Sequence, residues 1–548
     1  QGTLTPATQL FIGDARKPFK VGHLLRIQGK NQTEIPVGIP GDLCAVARVD
    51  EIHRDAVLHD SHDEDHFHLI PPRYPQPVFG LALQPEKHGD EQKLSDALHR
   101  LRHCDDLAAL EIVEYVPERD RHGDGARWVA EFAAAALGPT GPALQAREAR
   151  FGARNYAPLP VVFSRGEGAW LWDVDGRRYL DMMSAYSAVS FGHSHPRLVR
   201  ALTDQASRLA LTSRAYSNDR LPLMLERLSA LLGYDRALPV NTGLEAVETA
   251  LKAARKWAHT IKGVPDGQAE IIVCDNNFHG RSTTIISFSS EAQYRNGFGP
   301  LTPGFRSIPF GDADALAAAI TPRTAAFLFE PIQGEGGIVI PPPGWLARCA
   351  EICRANGVLL IADEVQTGLG RTGRLLACQH EDVRPDGVIL GKALGGGLLP
   401  VAAFLADDAL MQVFQPGDHG STFGGNPLAA AVAAESLALL AEDRLTERSA
   451  TLGALFLARL QAIDNPLIVE VRGRGLMIGM ELDTRRVPAR VAAEWMLARG
   501  LMTKDTHDKV LRFAPPLIVT EIELDWAARA IEDALTDLAR RFPAGDAP

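Results

Sequence analysis

Two residues in the last third of the chain carry the chemistry that a carbonyl cofactor needs. Lys392 stands in Gly391-Lys392-Ala393-Leu394-Gly395-Gly396-Gly397, directly after the apolar run Val388-Ile389-Leu390. Asp363 closes another apolar run, Val358-Leu359-Leu360-Ile361-Ala362, and opens Asp363-Glu364-Val365-Gln366-Thr367-Gly368. Burial disfavours an ammonium ion, so a lysine with apolar and glycine flanks is an activated amine. A carboxylate at the end of another strand can keep a heteroaromatic nitrogen protonated. Together the two fit pyridoxal 5'-phosphate (PLP), whose aldehyde condenses with the amine and whose protonated ring draws electrons from a substrate.

Both residues need rigid elements behind them. From about residue 150 onward, β-like runs alternate with helical patterns, which predicts an α/β domain with a largely parallel sheet. Residues 269–274, 325–329, 358–362 and 388–390 read as buried strands, with helices over 244–261 and 345–355. The reactive residues follow the carboxyl ends of these strands, where open α/β sheets bind ligands. A strand and turn over 168–177, with helices and short strands from about 440 to 545, predict a smaller domain built from both ends of the block. The breaker cluster Pro139-Thr140-Gly141-Pro142 marks a boundary. The expected organisation is an N-terminal accessory domain over 1–140, the first part of the small domain over 150–205, a large domain over 206–440 and the rest of the small domain over 441–548.

Further motifs run in order along the chain: Asn155-Tyr156-Ala157-Pro158-Leu159-Pro160, Ser184-Ala185-Tyr186-Ser187-Ala188-Val189, Asn241-Thr242-Gly243-Leu244-Glu245-Ala246 and Phe278-His279-Gly280-Arg281. Glu330-Pro331-Ile332-Gln333-Gly334-Glu335, Gly420-Ser421-Thr422-Phe423-Gly424-Gly425-Asn426-Pro427 and Leu511-Arg512-Phe513-Ala514-Pro515-Pro516 complete the set. With these motifs, the chain from about residue 155 to 542 resembles the ornithine aminotransferases, within the class III (fold type I) PLP-dependent aminotransferases. The resemblance implies an α/β fold with a large, mainly parallel sheet domain and a smaller α+β domain, here preceded by an extra N-terminal α/β domain. It also implies transfer of the δ-amino group of L-ornithine to 2-oxoglutarate, giving glutamate 5-semialdehyde and glutamate, in arginine catabolism with a link to proline.

By the same resemblance, Gly243 and Leu244 offer backbone N–H groups to the cofactor phosphate at a helix start, and Ser421 and Thr422 add hydroxyls, that of Thr422 from a partner subunit. An active site shared across a homodimer or higher oligomer follows. Phe278 and Val365 cover the two ring faces, Gln366 lies near the ring hydroxyl, and Asp363 meets the ring nitrogen. Lys392 holds the cofactor and then moves protons as general acid and base. Arg281 is expected to fork onto the ornithine α-carboxylate and Tyr156 to bind its α-amine. Arg512 binds the α-carboxylate of glutamate, Glu335 masks it while ornithine is bound, and Tyr186 lines the same pocket. His279 and Leu244 occupy positions that vary across the class. Structural alternatives stand beside these roles: Asp363 as a helix cap, Thr422 in a turn, Phe278 as a core aromatic, Glu335 and Arg512 as a permanent ion pair. The alternative activities are another class III ω-aminotransferase, acting on acetylornithine or 4-aminobutyrate, a bifunctional arginase and aminotransferase, and a non-catalytic assembly protein.

Composition narrows the class of partner. The 548 residues carry a net charge of −11, with 23% charged and 46% hydrophobic residues, which disfavours non-specific nucleic-acid binding and suits a globular protein. Long apolar runs of membrane-helix length are absent, as is a secretory signal at the start. The scattered cysteines (Cys44, Cys104, Cys274, Cys349, Cys353 and Cys378) read as reduced thiols, so a cytoplasmic enzyme of small molecules is expected. Residues of about 80–138 resemble the C-terminal end of an arginase-type ureohydrolase, but the manganese motifs of that family do not occur. The segment His59-Asp60-Ser61-His62-Asp63-Glu64-Asp65-His66-Phe67-His68 is dense in metal-ligating side chains without a recognised ligand frame, and a solvated polar loop is the expectation. No metal is expected at the active site.

Overall fold

The computed structural model describes residues 140–543 and, before them, the short stretches 5–6, 8–12, 19–21, 23–28, 31–37, 45–47 and 58–59. The chain divides into two units, Gln1–Thr140 and Gly141–Pro548. In the first, strand Gln9–Ile12 pairs antiparallel with Phe19–Lys20 and with Leu58–His59. Strand His23–Gln28 pairs antiparallel with Asn31–Glu34 and Ala45–Ala47. Leu10, Val21 and Leu24 are buried there. The arginase-like stretch 80–138 and the histidine-rich segment beyond His59 lie outside the described residues.

The second unit is built on a seven-stranded sheet. Its strands are β1 (Arg236–Val240), β2 (Glu270–Cys274), β3 (Phe305–Ile308), β4 (Thr324–Phe329), β5 (Leu359–Asp363), β6 (Gly387–Leu390) and β7 (Ala402–Ala406), in the spatial order β1-β7-β6-β5-β4-β2-β3. Strands β2 to β6 pair in parallel, whereas β7 runs antiparallel to both of its neighbours. Side chains alternate across the sheet, as the period of a strand requires. Ile271, Val273, Ile361 and Ile389 pack on one face with Ala246, Ala250 and Ala254 of helix Gly243–Trp257. Ile272, Cys274, Phe327, Phe329 and Leu360 pack on the other with Leu316 of helix Ala313–Ala319 and with Leu346 and Cys349 of helix Trp345–Ala355. Both faces are covered, which is why these strands read as continuous apolar runs.

The expected strands fall on β2, β4, β5 and β6, and the helix expected over 345–355 spans Trp345–Ala355. The helix expected over 244–261 is Gly243–Trp257 followed by a π-helical turn, Ala258–Lys262, that ends at Gly263. Both ends of this unit share a further sheet: Phe163–Glu167, Trp170–Asp173 and Arg178–Asp181 form a meander whose last strand pairs in parallel with Leu501–Met502. A four-stranded antiparallel sheet, Ile468–Arg474, Met477–Leu482, Val510–Phe513 and Lys504–Thr506, lies beside it in sequence. Arg371, fully buried, clamps distant segments by donating to Leu476 O (3.0 Å), Pro515 O (2.5 Å) and Ser190 Oγ (3.0 Å). Burial without a paired carboxylate pushes its pKa down to about 9.

Candidate active site

Parallel register brings the two diagnostic residues together. Asp363, the last residue of β5, stands opposite Ile389 of β6, so Lys392 leaves the neighbouring strand three positions further on. Lys392 has φ +44°, a left-handed backbone that a non-glycine residue adopts at a cost of about 1–3 kcal/mol and that clusters at functional sites. Its side chain is half-buried, and burial lowers its pKa against the opposing charges of Asp363, Glu335 and Glu330. A desolvated amine thus faces three carboxylates.

Helix Gly243–Trp257 begins beside this pair. Its capping box is closed: Thr242 Oγ1 accepts from Glu245 N (3.2 Å), and Glu245 Oε2 accepts from Thr242 N (2.9 Å) and Asn241 N (2.7 Å). The cap leaves the N–H groups of Gly243 and Leu244 at the positive end of the helix dipole. A Cβ on Gly243 would meet Val365 Cγ1 at 3.0 Å, and one on Gly391 would meet the same atom at 3.3 Å. Val365 therefore packs between the helix start and the residue before Lys392, in space that only glycines leave open.

Asp363 is buried and doubly tied. Oδ1 accepts from Val365 N (3.0 Å), and Oδ2 lies 2.7 Å from His279 Nδ1. Phe278, next to that histidine, has its N–H held by Glu330 Oε2 (2.9 Å), and its ring stands edge-on to Tyr294. Burial, with Asp363 nearby, raises the Glu330 carboxyl to about 7, while His279 and the N–H groups of Phe278 and Gly334 act against the shift. Arg281 lies over the Tyr294 ring at 4.1 Å and toward Phe278 at 5.8 Å, with its head exposed.

On the other side of Lys392, Arg512 Nη1 donates to Glu335 Oε1 at 2.7 Å, and Gln366 Nε2 donates to the same oxygen at 3.1 Å. Arg512 is buried on strand Val510–Phe513, yet its Nε and Nη2 have no partner. Its guanidinium lies 4.8 Å from the ring centre of Tyr186. Glu335 is held below the usual carboxylate range because Arg512, Lys392 and Gln366 outweigh the cost of burial. Tyr186 sits in a turn, Ser184–Ser187, in which all four residues have positive φ. Burial raises its pKa, and Tyr156 lies close enough to add to the rise. Tyr156 itself is exposed, in a segment whose Ala157 and Pro158 carbonyls accept from Arg490.

Ser421 Oγ accepts from Asn241 Nδ2 (2.8 Å) and Gly424 N (3.1 Å), which fastens its loop beside the helix start, while Thr422 is exposed. Sequence reasoning gave no role to His279, Glu330 or Tyr294. The first two stand in motifs that were legible, and their placement against Asp363 and Phe278 is tertiary. Among the described residues no group of three or more histidine, cysteine or acidic side chains is placed to hold a metal ion.

The donor set fits PLP. An activated lysine amine, a buried carboxylate, a capped helix start and two unpartnered guanidinium nitrogens converge on a cradle floored by Val365. Such a sheet, with lysine and aspartate on adjacent strand ends, defines an α/β enzyme of the PLP-dependent kind. Residues 151–535 match the Aminotransferase class-III family, and the chain belongs to it. It is 55% identical over 386 residues to the ornithine aminotransferase of Brevibacillus brevis, covering 70% of this chain and 96% of that protein. The crystal structure of ornithine aminotransferase from Toxoplasma gondii, with partial occupancy of PLP at its active site, matches with a TM-score of 0.72 at 45% identity, over 73% of this chain and 95% of that one. The acetylornithine aminotransferase of Elizabethkingia anophelis matches with a TM-score of 0.67, also at 45% identity, over 73% and 100%.

Proposed function

We propose that the chain is a PLP-dependent L-ornithine 5-aminotransferase, passing the δ-amino group of ornithine to 2-oxoglutarate and releasing glutamate 5-semialdehyde and glutamate. The observation that carries this reading is the Glu335–Arg512 pair beside Lys392, in which Arg512 keeps two N–H groups free. Two buried donors to spare beside a single glutamate oxygen leave this guanidinium room for a second carboxylate partner. An arginine half-occupied by a neighbouring glutamate can accept a substrate carboxylate in one half of a reaction and be masked in the other.

Each residue then has a task. PLP supplies the electron sink that makes transamination possible. Gly243, Leu244, Ser421 and Thr422 hold its phosphate, Phe278 and Val365 its ring faces, Gln366 its hydroxyl, and Asp363 accepts a hydrogen bond from its ring N–H. Lys392 Nζ removes the proton from the substrate carbon that bears the transferred amine, and its lowered pKa keeps a neutral fraction available. Arg281 and Tyr156 hold the α-carboxylate and α-amine of ornithine, so that the δ-amine is the end presented to Lys392. Arg512 takes the α-carboxylate of 2-oxoglutarate or glutamate after Glu335 turns aside, and Tyr186 walls the pocket. Thr422 serves the site of a partner subunit in a homodimer. The four buried free cysteines among the described residues suit a reducing compartment, and a cytoplasmic location belongs to the reading. No helix among the described residues is long and apolar enough to cross a membrane.

The test is substrate preference. Wild type is expected to favour ornithine over acetylornithine and 4-aminobutyrate as donor, with 2-oxoglutarate as acceptor. Tyr156→Phe should lower kcat/KM for ornithine by about tenfold, the scale of one lost hydrogen bond to a charged group, while leaving 4-aminobutyrate unaffected. Equal use of the three donors by wild type, or no change of preference in the variant, would overturn the choice of ornithine.

A further inference from the structure

We infer that Asp181 is a positioning residue for substrate recognition, acting through Tyr186: its carboxylate caps the left-handed turn that holds the tyrosine ring beside Arg512. The role rests on the proposed binding of a substrate carboxylate by Arg512 and goes beyond it, since Asp181 itself is given no contact with cofactor or substrate.

Ser184, Ala185, Tyr186 and Ser187 have φ of +47°, +46°, +61° and +74°. In that region each Cβ crowds the following carbonyl oxygen, so residues with side chains enter it singly, and a run of four needs an outside hold. Asp181 supplies that hold at the entrance. Its Oδ1 accepts from Met183 N and from Ser184 N, both at 2.8 Å, and the residue is fully buried. Its Oδ2 lies 2.8 Å from His193 Nε2; an ionised carboxylate only accepts, so the proton sits on Nε2 and the plane of the carboxylate is set from both sides. Ser184 does not substitute for it, because its own hydroxyl is buried without a partner. At the exit, Ser190 Oγ donates to Ser187 O (2.9 Å) and accepts from Arg371 Nη2 (3.0 Å). Both ends are also tied to the segment that follows Arg512, by Ala514 N on Met182 O (2.6 Å) and by Leu517 N on Ser190 O (2.8 Å). Tyr186 is thus half-buried within a frame that fixes its place against Arg512, whose guanidinium carbon stands 4.8 Å from the ring centre. A ring against the guanidinium limits how its unpartnered Nε and Nη2 can point. Without Asp181 the first N–H groups of the turn lose their acceptor, the run relaxes toward ordinary φ, and the ring leaves Arg512.

The test is a double-mutant cycle in the full chain, read as kcat/KM for 2-oxoglutarate with ornithine as donor, with the Kd for PLP measured alongside. Asp181→Ala is expected to lower kcat/KM about tenfold, the scale of a desolvated cation–π contact, while the Kd for PLP stays within about twofold. Asp181→Asn, whose Oδ1 can accept from the same two N–H groups, should keep most of the activity. In a Tyr186→Ala background, Asp181→Ala should cost almost nothing further, because the ring it positions is gone. Losses that add across the cycle, an asparagine variant as poor as the alanine one, or PLP binding weakened in parallel would mark a general support of the fold and overturn the inference. Should the alanine variant fail to fold, Asp181→Ser, with one shorter acceptor, takes its place in the cycle; no effect, or a loss that adds to that of Tyr186→Ala, overturns the inference in the same way. A wild type that transfers no amino group from ornithine to 2-oxoglutarate would overturn the functional reading and this inference together; an active wild type whose variants add overturns this inference alone.

Discussion

At Lys392 two unfavourable terms meet, a left-handed backbone and a desolvated ammonium, and chemistry gives both a use. The neutral amine is the nucleophile, and a lowered pKa raises its fraction at any given pH. The rate at which the PLP-free protein takes up PLP should therefore climb with pH and level off below ~10.4, the ordinary lysine value. A plateau at or above that value would mean the amine is not desolvated as its surroundings require. Glu335 makes the complementary case. Glu335→Gln keeps the shape and removes the masking charge, so kcat/KM for glutamate as donor should rise by about tenfold relative to that for ornithine. An unaltered ratio would return the pair to a structural role. Lys392 and Asp363 were legible because apolar flanks around a charged residue are rare enough to be informative. Arg512 and Glu335 were legible only through their motifs, since 177 positions separate them and nothing local links them. The contact of His279 with Asp363 spans 84 positions and could not be read from either neighbourhood.

At the scale of elements, the buried strands announced themselves and the edges did not. β2, β4, β5 and β6 are apolar on both faces and read as continuous runs. β1 and β3 are edge strands; β1 contains Pro239, which an edge tolerates, and β3 is half-polar. β7, Ala402-Ala403-Phe404-Leu405-Ala406, is alanine-rich, and its local preference is helical, so only pairing with β1 and β6 makes it a strand. Packing between elements is just as invisible locally. Gly453, inside helix Leu445–Gln461, abuts the hairpin turn at Gly475, where an added Cβ would stand 2.1 Å from the Gly475 carbonyl carbon. Neither backbone can yield cheaply, because Gly475 is itself wedged against Thr372 and Gly373. Gly453→Ala should cost about 3 kcal/mol, the upper end of overpacking, whereas Gly263→Ala, at a π-turn cap with open space, should cost only the strain of its φ of +81°, about 1 kcal/mol. Thermal melts of the two variants check the ranking; equal losses would mean the helix can slide.

For the whole molecule, the match to the class-III family spans residues 151–535, which lie in the second unit. Residues 141–548 hold the complete central sheet and every residue assigned to the site. That fragment should fold and retain PLP binding and turnover close to those of the full chain; loss of turnover with PLP still bound would assign the first unit a part in catalysis. Shared sites make a sharper demand on the assembly. If Thr422 reaches a partner's cofactor phosphate, a site needs Lys392 from one subunit and Thr422 from the other. Lys392→Ala and Thr422→Ala proteins, each weakly active or inactive alone, should then regain activity when unfolded and refolded together, because a mixed dimer contains one site with both residues intact. Were Thr422 to serve the site of its own chain, every site in the mixture would lack one residue or the other, and mixing would restore nothing. The exposure of Thr422 beside a Ser421 that is already fastened to Asn241 favours the first outcome: the loop is held in place, and its free hydroxyl is left to face outward.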